Sequence, residues 1–165
     1  MVNLKQRWEH FNENYQQRDK LAKSLIPEDI KSVMDLGAGN QNLQSYFVPK
    51  KIEYSPVDKI KRFPNTLIAD FNRNQFPPIV SDLSIVLGVL EYINNAPKFI
   101  KSITNQTVRY IIFSYYGAED TPQNIRKKWG WKNNYTVQEL KDMFGWEVIK
   151  ELKEKKQTII LMKRK

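Results

Sequence analysis

The stretch Ser32-Val33-Met34-Asp35-Leu36-Gly37-Ala38-Gly39-Asn40 decides how this chain is read. An apolar run from Val33 to Leu36 has the character of a buried strand, and it breaks at Gly37-Ala38-Gly39 into a turn with almost no side chains. Helix-compatible residues, Gln41 to Phe47, follow. Glycines at such a junction let backbone N–H groups approach a ligand closely, because no Cβ intervenes. A G-x-G pair alone is weak. It gains weight from Asp35, one position inside the strand end, and from Asp58, a second acid about twenty residues on.

Around this stretch the chain alternates between two periodicities. Leu4, Trp8, Phe11, Tyr15 and Leu21 fall at helical spacing and predict an amphipathic leading helix over 3–24, closed by Pro27. Ile52 to Val57 predicts a second strand, and Pro56 favours a place near a sheet edge or a strand end. Thr66 to Ala69 predicts a third strand ending at Asp70, and Leu83 to Leu87 a buried fourth ending at Gly88. Pro97 to Ile103 reads as a helix with Pro97 in its first turn, and Tyr110 to Phe113 as the next strand. Thr136 with Glu139 forms a capping box, and Gly145 stops that helix. Glu147–Leu152 and Thr158–Met162 read as a closing hairpin across a charged turn. This alternation implies an α/β fold, with a mostly parallel sheet, helices on both faces and a ligand site at the strands' carboxyl ends. The expected organisation is one domain, 1–165, with 1–27 as a helical cap. The long irregular stretch 115–135 reads as an insertion of the kind that carries function.

Composition sets the bounds. At 165 residues, with 41% hydrophobic and 27% charged residues, the chain has the makeup of one soluble globular domain. No run approaches the roughly 18 apolar residues that span a bilayer, and the N-terminal residues lack a signal-peptide core. A cytoplasmic location is the expectation. No cysteine is present, which removes disulfides, zinc-thiolate sites and thiolate nucleophiles. The net charge of +9 is spread over several lysine-rich clusters rather than one basic tail. That pattern fits a solvated surface better than a nucleic-acid footprint.

The chemistry lies at the strand ends. Asp35 precedes Gly37; Asp58 follows the second strand, Asp70 the third, and Gly88 with Glu91 the fourth. Taken singly, Asp70 equally suits a turn cap before Arg73, and Asp58 an ion pair with Lys59 or Lys61. Placed in register, they offer acceptors for a ligand with hydroxyls and amines. A dinucleotide fingerprint fails because Asn42 stands at the third glycine, and no G-K-[ST] of a P-loop exists. A nucleoside cation without phosphates, such as S-adenosylmethionine, suits acids at several strand ends.

Val33-Met34-Asp35-Leu36-Gly37-Ala38-Gly39 resembles the first motif, V-L-D-L-G-x-G, of class I S-adenosylmethionine-dependent methyltransferases, and the likeness extends over roughly residues 30 to 163. The resemblance implies a three-layer sandwich on a seven-stranded, mostly parallel sheet with an antiparallel last strand. It implies that Asp35, Gly37, Ala38 and Gly39 border the methionine half of the cofactor S-adenosyl-L-methionine. Asp58 matches the acid that binds the ribose hydroxyls, with Lys59 beside it. Asp70 matches the acid near the adenine amine, with Phe71 flanking the ring. Val86 to Ile93 resembles the V-L-E-H-I stretch of small-molecule methyltransferases and brings Gly88 and Leu90 to the cofactor; Tyr92 stands where many relatives carry histidine.

Methyl transfer asks mainly for alignment, and an alcohol acceptor also benefits from a base. The base candidates are His10, the one histidine, together with Glu91 and Tyr115. His10 reaches the site if the leading helix folds over the cofactor, and is otherwise an exposed helix residue. Trp8, Tyr92, Tyr116, Arg126, Trp129 and Trp131 are the expected substrate-binding residues, since aromatics pack on sugar C–H faces and arginine pairs with anions. No residue spacing points to a metal. The expected activity is O-methylation of a small polar acceptor such as a sugar-derived metabolite. A nucleic-acid methyltransferase and a non-catalytic cofactor-binding module are the alternatives.

Overall fold

A computed structural model describes residues 13–165. The sequence expectations that fall on residues 1–12, including Trp8 and His10, lie outside the described residues. In chain order the elements are α1 (Glu13–Ser24), β1 (Ser32–Leu36), α2 (Gln44–Phe47), β2 (Glu53–Asp58), β3 (Leu67–Ile68), β4 (Ser81–Val86) and α3 (Ala96–Gln106). There follow β5 (Thr107–Tyr115), α4 (Gln123–Lys128), α5 (Val137–Phe144), β6 (Glu147–Glu154) and β7 (Gln157–Lys163).

The strands form one seven-stranded sheet in the order β3-β2-β1-β4-β5-β7-β6. Pairings among β1 to β5 are parallel, while β7 runs antiparallel to both β5 and β6. Period-two alternation sorts the side chains into two cores. Val33, Leu83, Ile85 and Ile112 meet Ala22 of α1, Leu25 and Ile26 just after it, and Phe47 of α2 on one face. Met34, Val86, Ile111 and Phe113 meet Phe99, Ile100 and Ile103 of α3 and Leu140 and Phe144 of α5 on the other. Helices on both faces of a mixed sheet make the three-layer sandwich. The strand order turns back between β1 and β4, and a crevice opens at their carboxyl ends.

Local chemistry explains the helix limits. Asn95 caps α3 by accepting from Lys98 N–H at 3.0 Å, and Pro97 occupies the first turn. The capping box at α5 is present in both halves: Glu139 N–H donates to Thr136 Oγ1 at 3.1 Å, and Thr136 N–H to Glu139 Oε2 at 2.7 Å. Two expectations need correction. The third strand, expected over Thr66 to Ala69, shrinks to Leu67–Ile68, with both side chains exposed. It is an edge strand paired only to β2, and no α-helix lies between β2 and β4 to cover it. The stretch 115–135 is not wholly irregular, because α4 forms within it after Pro122 and is pinned by buried Arg126.

Candidate active site

At the carboxyl ends of β1 and β4 lies a cavity of about 650 Å³. Gly37 has φ +79°, and a Cβ there would fall 2.2 Å from Val89 Cγ2, so only glycine lets the turn pass beneath that side chain. The turn hangs on the sheet: Gly37 N–H and Ala38 N–H both donate to Val57 O, at 2.7 and 3.1 Å. Asp58, at the end of β2, accepts from Gly39 N–H at 2.8 Å and from Ile60 N–H at 2.9 Å. Its carboxylate is thereby fixed at the rim of the glycine turn.

Asp35 points to the α1 side of the sheet, 4% exposed, and accepts from the Tyr54 hydroxyl at 2.5 Å. Burial pushes its carboxyl up to about 7, against the opposing pull of that hydrogen bond. The same burial, with Asp35 beside it, drives ionisation of Tyr54 upward, so the phenol stays a donor. Asp19 of α1 accepts from Asn42 Nδ2 at 2.9 Å and from Arg18, tying α1 to the glycine turn. Arg18 itself lies over Gly88, where a Cβ would meet Nη1 at 2.5 Å. Gly88 N–H donates to Ser114 Oγ at 2.9 Å, and Gln157 Nε2 reaches the same oxygen at 3.2 Å. Asp70 caps the turn Phe71–Arg73 and pairs with Lys59 at 3.2 Å.

Glu91 is 1% exposed and borders the cavity. Its Oε1 accepts from Tyr116 N–H at 3.0 Å, and its main-chain carbonyl accepts from Lys132 N–H at 2.7 Å. Its Oε2 has no hydrogen-bond partner among the described residues. Burial raises this carboxyl to about 7, opposed by the backbone donors and by the more distant Arg18 and Arg126. Beside it stands an aromatic corner. Tyr116 and Trp131 stack at 5.2 Å and 28°, and Trp129 meets their planes at 84° and 90°.

The cavity therefore brings together Asp35, Gly37, Ala38, Gly39, Asp58, Lys59, Asp70, Phe71, Gly88, Glu91, Tyr92, Tyr116, Trp129 and Trp131 from the sequence expectations. Three expected residues are turned away from it. Arg126 is 2% exposed and donates to Tyr116 O, to Asn133 O and to the Tyr115 hydroxyl, so it braces the loop instead of meeting a substrate. Tyr115 is fully buried; its hydroxyl donates to Asn133 Oδ1 at 2.5 Å, and burial pushes its ionisation up, which removes it as a base. Leu90 packs into the core under α3. Sequence reading missed Arg18, Asp19, Tyr54, Lys132 and Gln157, all but Tyr54 lining the cavity. Arg18 and Asp19 are ordinary charges on a polar helix, and Asn42 was the one local sign, standing where a third glycine would be.

No protein-family model matches the sequence, and no curated protein matches it. Solved structures do match in shape. The N-methyltransferase NodS from Bradyrhizobium japonicum, solved with S-adenosyl-L-homocysteine, superposes with TM-score 0.71 at 10% identity, over 98% of this chain and 96% of that one. Magnesium protoporphyrin IX methyltransferase from Synechocystis, also with S-adenosyl-L-homocysteine, gives 0.72 at 14% identity, over 98% and 93%. An O-methyltransferase family protein from Burkholderia thailandensis gives 0.70 at 11% identity, over 92% and 56%. The chain has the fold of class I S-adenosylmethionine-dependent methyltransferases.

Proposed function

We propose that this protein is an S-adenosylmethionine-dependent methyltransferase acting on a hydroxyl of a small polar acceptor that carries a ring, a sugar-derived metabolite among them. The observation that carries the reading is one continuous cavity joining the glycine turn to the Glu91 carboxylate and the aromatic corner. Its residues fit the cofactor. Asp58, anchored by two backbone donors, keeps lone pairs for a ribose diol. Arg18, held over Gly88, has Nη1 outside its bonds to Asp19 and suits the methionine carboxylate. Asp19 and Asp35 stand at the same end as acidic groups that favour a sulfonium. S-adenosylmethionine supplies, when bound, an electrophilic methyl group.

The chain's part is to align, exclude water and take a proton. Alignment supplies much of the acceleration of an in-line displacement. α1 closes one side of the cavity with Tyr15 and Arg18. Glu91 Oε2 is the atom that accepts the acceptor's proton, and its raised affinity matches a base working near neutral pH. Calorimetry with S-adenosylhomocysteine, followed by turnover across sugars, phenols and amines, tests the reading. If the ligand does not bind, or Asp58→Ala leaves its affinity unchanged, the reading fails; binding without turnover on any acceptor supports a non-catalytic module instead.

A further inference from the structure

Near the aromatic corner in the chain are lysines that enter no ion pair among the described residues. Lys132 lines the cavity itself and is exposed. Lys128 immediately precedes Trp129, and Lys155-Lys156 form the hairpin turn immediately before Gln157, both neighbours being cavity residues. Lys128, Lys155 and Lys156 are exposed, and each lies within two residues of the cavity lining. None of the four enters an ion pair among the described residues. The acids that could have quenched them are engaged elsewhere. Asp120 pairs with Lys153 at 2.7 Å, and the Glu119 carboxylate accepts from Val137 N–H at 3.0 Å. With Lys153 taken by Asp120, Glu154 is the one acid next to Lys155 and Lys156 in the hairpin tip.

Tyr116 and Trp129, half-buried and nearly perpendicular, both line the cavity, and aromatic side chains pack well on flat rings. The Glu91 carboxylate, which accepts from Tyr116 N–H through Oε1, has its Oε2 unpartnered among the described residues and asks for a donor. We propose that the acceptor is a ring-bearing anion: its flat ring fits the corner of Tyr116 and Trp129, its O–H or N–H meets Glu91, and its phosphate or carboxylate is held by Lys132 and the Lys155–Lys156 turn. This rests on the methyltransferase reading for which end of the cavity takes the acceptor. In the transfer, the acceptor's lone pair forms the new bond to the methyl carbon and the carbon–sulfur pair stays on sulfur. The acceptor's proton passes to Glu91.

The test uses the protein saturated with S-adenosylhomocysteine, so that only the acceptor end is open, with tryptophan fluorescence as the readout. Guanosine 5′-monophosphate is titrated against guanosine and glucose 6-phosphate, and 4-hydroxybenzoate against phenol. At least one anion with a flat ring is expected to bind about fivefold or more tighter than its uncharged or non-aromatic counterpart, as charge-assisted contacts do. The Lys132→Gln/Lys155→Gln/Lys156→Gln variant should erase that preference and leave S-adenosylhomocysteine affinity unchanged. A short single-stranded RNA distinguishes the sources of a phosphate: tighter binding with a salt slope of several charges assigns a strand, and a slope near one a free nucleotide. Equal affinity within all three pairs, or a preference that survives the lysine substitutions, overturns the proposal. Failure of S-adenosylhomocysteine to bind at all overturns the methyltransferase reading instead.

Discussion

The two ends of the cavity are built by different means. The glycine-turn end is made of backbone: positive-φ glycines and N–H groups held on Val57 O and Asp58, within a few residues of β1 and β2. The other end is made of side chains from Glu91, Tyr116, Trp129 to Lys132 and Gln157, segments far apart in the chain that meet only after folding. A site made of backbone tolerates little and changes little. A site made of loop side chains is free to take on a new ligand. Substitutions at the two ends should therefore separate into two kinds of effect.

The largest expected effect is on the brace beneath the aromatic corner. Arg126→Ala leaves the carbonyls of Tyr116 and Asn133 and the Tyr115 hydroxyl without their donor, at a cost of about 3 kcal/mol in denaturant unfolding. Stability within about 0.5 kcal/mol of the parent would make the arginine dispensable and the two ends structurally alike. Next comes Glu91→Gln, expected to lower turnover about a hundredfold. The parent's rate should rise with pH through about 7 as the carboxyl ionises, and the variant's profile should be flat. Gly37→Ala forces a Cβ against Val89 at positive φ, with a strain of about 2 kcal/mol seen as lost cofactor affinity in calorimetry. Arg18→Ala should weaken S-adenosylhomocysteine about tenfold and leave 5′-methylthioadenosine, which lacks the carboxylate, unaffected. Equal losses for both ligands would remove Arg18 from carboxylate binding.

The smallest effect is a slope. Asp35 and Glu91 hold protons in the folded protein up to about 7, whereas in the unfolded chain carboxyls release them near 4. Between those values the folded state binds more protons, so stability is greatest below about pH 4 in this respect and falls as pH rises through 7. Asp35→Asn should flatten part of that decline in thermal melts between pH 5 and 8, and an unchanged slope would mean the group is ionised when folded.

The same contrast governs what the sequence made legible. Strand β1 and its turn could be read from nine residues because a buried strand followed by two glycines has one local solution. The capping box at Thr136 and Glu139 was equally local. Arg126 was misread because an arginine among aromatics in a polar loop looks the same from sequence whether it faces solvent or folds inward. Tyr115 was misread for a related reason: the nine-residue strand β5 carries it past the rim into the core. The short β3 was overestimated because its apolar residues promise a covering helix that the chain does not provide. Arg18 and Gln157 enter the cavity only through tertiary packing, which no spacing along the chain records.

Glu91 fastens the loop at both of its feet, at Tyr116 through the side chain and at Lys132 through the main chain. Apart from its buried brace Arg126, the span between those feet is thus an exchangeable cassette clipped to the proposed proton acceptor. Natural variation or design can rewrite the exposed residues of 117–131 around that brace to suit a different molecule. Diversification in such a protein proceeds by recutting one span, not by reinventing the catalyst.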